Sequence, residues 1–93
     1  MIRHVVIWSV KPDRQSELEA LLDELRSLPA QIEEIEDLSA GPLLNEARMD
    51  AALCVDLADA GALERYRAHP AHQPSLERLR DLAEEIVVAD YEL

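Results

Sequence analysis

Apolar and polar positions alternate along this chain in a way that predicts six main elements. Ile2 to Val10 is rich in β-branched residues and reads as a strand. Ile2, His4, Val6, Trp8 and Val10 share one face, while Arg3, Val5, Ile7 and Ser9 share the other. Both faces are apolar over the middle of the strand. A sheet covered on one side only would alternate more cleanly, so the second face needs a partner, and a second copy of the chain is the simplest supplier. Pro12 and Asp13 break the strand. A helix is expected from Arg14 to Leu28, with Ser16 and Glu19 in capping-box spacing and Leu18, Leu21, Leu22, Leu25 and Leu28 on one stripe. Pro29 stops it.

A weaker strand runs from Ile35 to Gly41, Gly41 and Pro42 mark its end, and Asn45 to Met49 read as a loop. Asp50 to Leu57 is a third strand, with Ala51, Leu53, Val55 and Leu57 on one face. Asp59 is placed to cap a short helix from Ala60 to about Ala68. Pro70 suits the first turn of another helix, expected to reach Glu85 with Leu76, Leu79, Leu82, Ala83 and Ile86 facing inward. Ile86 to Glu92 closes the chain as a strand. The order is βαββαβ with its second helical segment split, which is the ferredoxin-like arrangement of an α+β domain. A four-stranded antiparallel sheet with helices on one face is expected. Two bare faces packed together would give a homodimeric α+β barrel.

Ninety-three residues make one domain, spanning 1–93. A chain this short buries a modest core, which again favours self-association. Twenty acidic residues against nine basic ones give a net charge of −11. That field repels phosphate backbones and anionic lipid, so neither nucleic acid nor membrane is an expected partner. Cys54 is the single cysteine, which excludes an internal disulfide, and its apolar surroundings predict a buried, inert thiol. No basic, apolar leader and no run of membrane-spanning length is visible, so a cytoplasmic location is expected.

The candidate chemistry lies with the histidines, the side chains that titrate nearest neutral pH. Two sit in Tyr66-Arg67-Ala68-His69-Pro70-Ala71-His72, and the third is His4 on the inner face of the first strand. With an ordinary imidazole pKa near ~6.5, His72 would suit a general base. It would equally suit a polar residue bonding backbone in a first helical turn. Tyr66 lies on the face of Leu63 and could donate its hydroxyl to a developing enolate, or could simply be a core aromatic. His69, next to Pro70, is better placed to bond free backbone at the helix junction. His4 must be paired or neutral if it is buried. No carboxylate stands at metal-ligand spacing from these histidines, so no metal centre is expected. With Gly41 and Gly61 alone there is no glycine-rich phosphate or dinucleotide loop.

The chain resembles the stress-responsive A/B barrel domain family of dimeric α+β barrel proteins. The residues that carry the resemblance are His4-Val5-Val6, Leu63, Tyr66, His69-Pro70-Ala71-His72, Leu79 to Leu82 and Val87-Val88-Ala89-Asp90-Tyr91. They cover nearly the whole length. The family includes plant stress-induced proteins and a cofactor-free polyketide cyclase that makes olivetolic acid. The resemblance implies catalytic roles for His72 and Tyr66, with His4 bordering the same pocket. It implies a pocket lined by Val6, Trp8, Leu18, Leu21, Leu22, Leu25, His69 and Leu76, filled by a small apolar, oxygenated ligand. The cyclase carries bulky aromatics where this chain has leucines, Ser75 and Ala83, which argues against the same polyketide as substrate. The expectation is a small-molecule protein using a His/Tyr acid–base pair in a cyclase- or isomerase-type reaction without a cofactor. The alternatives are a non-catalytic stress-related or ligand-binding homodimer and a cofactor-independent monooxygenase.

Overall fold

The structure, a computed structural model, describes residues 1–44 and 48–93. Residues Asn45, Glu46 and Ala47 of the expected loop lie outside the described residues. Strands β1 (Ile2–Val10), β2 (Ile35–Pro42), β3 (Ala51–Leu57) and β4 (Ala83–Glu92) form one antiparallel sheet in the order β2-β3-β1-β4. Helices α1 (Leu18–Arg26), α2 (Ala60–Ala68) and α3 (Gln73–Leu82) supply the helical layer. This is the ferredoxin-like α+β fold.

The core lies between the sheet's inner face and the helices. Val6, Trp8, Leu53, Val55 and Leu57 from the strands meet Leu21, Leu22, Leu25, Leu63, Leu79 and Leu82. The other face follows from the register. Val5 stands opposite Cys54 and Ala89, and Ile7 opposite Ala52 and Val87, so these six side chains share the face that carries no helix. Cys54 is therefore half-buried on the outer face rather than sealed in the core, although burial still pushes its thiol pKa up.

Several boundaries differ from expectation: α1 ends at Arg26 rather than Leu28, β3 starts at Ala51 rather than Asp50, and two larger shifts have visible causes. The first helical segment opens as a 3₁₀ turn over Pro12–Glu17, and α1 begins only at Leu18 with no side-chain cap, so the Ser16–Glu19 capping box does not form. Pro12 at the turn's start favours this entry, and the Lys11 carbonyl accepts from Arg14 N–H at 2.9 Å. At the other end, α3 stops at Leu82 rather than Glu85. The Lys11 N–H binds the Leu82 carbonyl at 2.9 Å, and Lys11 Nζ binds the Asp81 carbonyl at 2.8 Å. Ala83 is already extended, and Ile86 pairs with Trp8 as a strand residue.

The Asp59 cap forms as expected: its side chain accepts from Ala62 N–H at 2.8 Å. Asp59→Ala is expected to destabilise the protein by about 1 kcal/mol in urea unfolding. An unchanged midpoint would show that water replaces the cap without loss.

Candidate functional site

β1 sets the site. Alternation puts His4 on the inner face with Val6 and Trp8, and pairing of β1 with β4 puts Asp90 directly opposite His4. His4 Nδ1 lies 2.5 Å from Asp90 Oδ1. An ionised carboxylate only accepts, so Nδ1 carries the proton and donates it. The Asp90 carboxylate takes a second bond at Oδ2 from Arg67 at 2.6 Å. His4 is thus held in place by a carboxylate that is itself held by a guanidinium, and Nε2 is the ring nitrogen left free of that bond.

Tyr66 ends the inner face of α2 and is fully buried. Its ring meets the edge of His4 at 5.8 Å between centroids and stacks on His72 at 4.5 Å and 29°. Pro70 positions His72. It forces His69 to be extended (φ −63°, ψ 132°), and the chain then turns through Pro70–His72 into α3. His69 Nδ1 accepts from Ala71 N–H at 3.0 Å, while Gln73 Nε2 donates to the carbonyls of Arg67 and His69. His69 thus caps the junction, and His72 is carried inward, 7% exposed.

Two buried polar atoms here have no partner among the described residues: the Tyr66 hydroxyl and His72 Nδ1. Leaving such an atom unpaired costs about 1–3 kcal/mol. Burial pushes the Tyr66 phenol up to about 12, so it remains a neutral donor at neutral pH. Burial also lowers His72 to about 4, helped by the charges of His4, Arg80 and His69. His72 is neutral at pH 7 and a far weaker base than the ordinary imidazole expected of it.

These groups border a cavity of about 470 Å³, within the ~300–1,000 Å³ usual for small-molecule sites. Val6, Leu25, Leu53, Leu76, Leu79 and Ile86 supply its apolar walls. Arg67 and Arg80 line it as well. Ser75 also borders it, but its hydroxyl donates to Glu24 Oε1 at 3.0 Å.

The expected lining is thus divided. His4, Val6, Leu25, Tyr66, His72 and Leu76 come together at the cavity. Trp8, Leu21 and Leu22 do not line it; they are fully buried in the solid core. Leu18 packs on the edge of that core, and His69 faces the helix junction. Sequence reasoning passed over Asp90, Arg67 and Arg80. An aspartate inside a β-branched strand was the available signal for Asp90, but its partner follows only from the register. Among the described residues, no group of three or more His, Cys, Asp or Glu is arranged to hold a metal ion.

The sheet order and the helical layer define a ferredoxin-like α+β protein. The chain belongs to the stress responsive A/B barrel domain family, whose sequence pattern matches residues 2–93. It is 34% identical to the uncharacterized protein SCO4036 of Streptomyces coelicolor, across 99% of each chain. A dimeric ferredoxin-like protein of unknown function from Thermobifida fusca superposes with a TM-score of 0.84 at 26% identity, over 99% of this chain and 90% of that one. The hydroxynitrile lyase of Passiflora edulis superposes with a TM-score of 0.88 at 18% identity, over 99% and 92% of the two chains. At that identity the likeness to the lyase is one of fold.

Proposed function

We propose that this protein binds a small, partly apolar, oxygenated molecule in the cavity and moves a proton on it without a cofactor. The reaction would be of cyclase, isomerase or lyase type. The observation that supports this most is the meeting of three groups at one cavity: the Asp90-held His4, the unpartnered Tyr66 hydroxyl and the unpartnered His72 Nδ1. His4 Nε2 takes a proton from a carbon acidified by a neighbouring carbonyl. Asp90 steadies the imidazolium that results, as carboxylates do for catalytic histidines generally. The Tyr66 hydroxyl donates to the enolate oxygen that forms. His72, kept neutral, bonds the substrate's second oxygen. This gives His4 the role of base in place of His72, because an imidazole lowered to about 4 holds a proton too weakly.

Hydrogen–deuterium exchange at the α-carbon of a panel of 1,3-dicarbonyl compounds, followed by proton NMR, tests the reading. The wild type is expected to accelerate exchange on at least one compound. His4→Ala and Asp90→Asn should each lose about 10²–10⁴ of that rate, and Tyr66→Phe a smaller share. A cyanohydrin panel with cyanide detection covers the lyase version that the Passiflora neighbour suggests. Tight binding with no exchange and no cyanide release would leave a ligand-binding protein and remove the enzyme.

We also propose that the chain works as a homodimer sealed through the helix-free face. Its apolar strip supports this, as does the dimeric Thermobifida relative. A cytoplasmic location belongs to the same proposal: a reducing compartment would keep the half-buried Cys54 a thiol.

A further inference from the structure

The chain has eight arginines and a net charge of −11, so acidic partners are abundant. Among the described residues, seven of the eight make an ion pair. Arg3 binds Asp56, Arg14 binds Glu17 and Asp81, Arg26 binds Glu19 and Asp23, and Arg48 binds Glu85. Arg65 binds Glu34, Arg67 binds Glu64 and Asp90, and Arg78 binds Glu24. Among the described residues Arg80 alone has no carboxylate partner, and it also borders the cavity. It stands one helical turn after Leu76 on α3, and its charge is felt at His72.

We infer that the cavity's ligand is an amphipathic monocarboxylate, with its carboxylate on Arg80 at the mouth and its apolar body against Leu76, Leu79, Ile86 and Val6. The inference rests on the small-molecule reading of this cavity and names the class of molecule it takes. A guanidinium offers a planar pair of donors that fits a carboxylate fork to fork. Arg67 also borders the cavity, but its donors are engaged by Asp90 and Glu64. A single free positive charge matches a single negative one. A dianion would bring a second charge into a strongly acidic molecule with nothing to balance it.

Titration calorimetry with octanoate and 1-octanol at pH 7.5, each below its aggregation limit, tests this. The two probes share an apolar body and differ in the head group. Octanoate is expected to bind the wild type at least about tenfold more tightly than octanol, equivalent to about 1.4 kcal/mol. Arg80→Gln should erase that preference while leaving octanol binding unchanged, and Arg80→Lys should keep part of it. Octanoate should also move the imidazole NMR signals of His4 and His72, which places it in this cavity. If octanol binds and octanoate binds no better, the carboxylate inference fails and the cavity reading stands. If Arg80→Gln binds octanoate as the wild type does, Arg80 is not the anchor and the inference fails. If neither probe binds, both readings fall together.

Discussion

Between pH 7 and pH 4 the wild-type protein is expected to lose about 3 kcal/mol more stability than a His72→Phe variant. The cause is the gap between an ordinary imidazole near 6.5 in the unfolded chain and about 4 in the folded one. Above pH 6.5 the side chain is neutral in both states and contributes no slope. Between 6.5 and 4 the unfolded chain takes up a proton that the folded protein refuses, so stability falls as pH falls. Below 4 both states are protonated and the effect saturates. Each unit of the gap is worth ~1.36 kcal/mol, which sets the size. Carboxylates held low by arginines, such as Asp56 beside Arg3 and Asp81 beside Arg14, contribute stability that is present above their unfolded values and lost as pH falls through their folded ones. That loss is common to both proteins and cancels in the comparison. The phenyl ring introduced by His72→Phe would still stack on Tyr66 but could not titrate. Urea unfolding at pH 7, 6, 5 and 4 gives the two curves. Parallel curves would mean that His72 meets water freely in the folded protein.

Much of the scaffold was legible in the sequence, because period-2 and helical patterns report which face of each element is buried. The side of β1 that carries His4 followed from alternation alone, and the Asp59 cap from one residue at the head of a helix. Boundaries were legible only where a single element could own the residues. Ala83 and Ile86 continue the α3 stripe in helical spacing, yet the ladder to β1 claims them for β4. The leucines of α1 show a different limit. A stripe shows that Leu21 and Leu22 face inward, but not whether space remains beside them, and here the core closes over them while Leu25 borders the cavity. The His4–Asp90 contact joins residues at opposite ends of the chain. It depends on register, which no local pattern encodes. The lowered basicity of His72 was equally out of reach, because it comes from burial and from neighbours elsewhere in the fold.

Ile7→Glu is expected to raise the dissociation constant of the dimer by at least about a thousandfold. Ile7 sits mid-strand on the helix-free face, between Ala52 on β3 and Val87 on β4. The apolar strip ends at a polar margin where Arg3 grips Asp56 through two bonds of 2.8 and 2.9 Å. An apolar centre with a paired polar rim is the usual anatomy of an association surface. Two-fold packing would bury two glutamates, one from each copy, and an unpaired buried charge costs about 3–5 kcal/mol. Light scattering after gel filtration over a dilution series should find the wild type at dimer mass and the variant at monomer mass. A wild type that stays a folded monomer at high concentration would end the dimer proposal. The variant should also disturb the cavity, because β1 carries Ile7 on one face and His4 on the other. β4 is an edge strand, held by β1 alone, and its outer residues Val87 and Tyr91 lie on the uncovered face. With no partner to cover them, β4 frays first, and Asp90 leaves His4 with it. The hydrogen-bonded Nδ1 proton of His4 should therefore be visible by NMR in the dimer and lost by exchange in the Ile7→Glu monomer. If that signal persists in the monomer, the sheet holds the His4–Asp90 pair unaided and the two faces of β1 act independently.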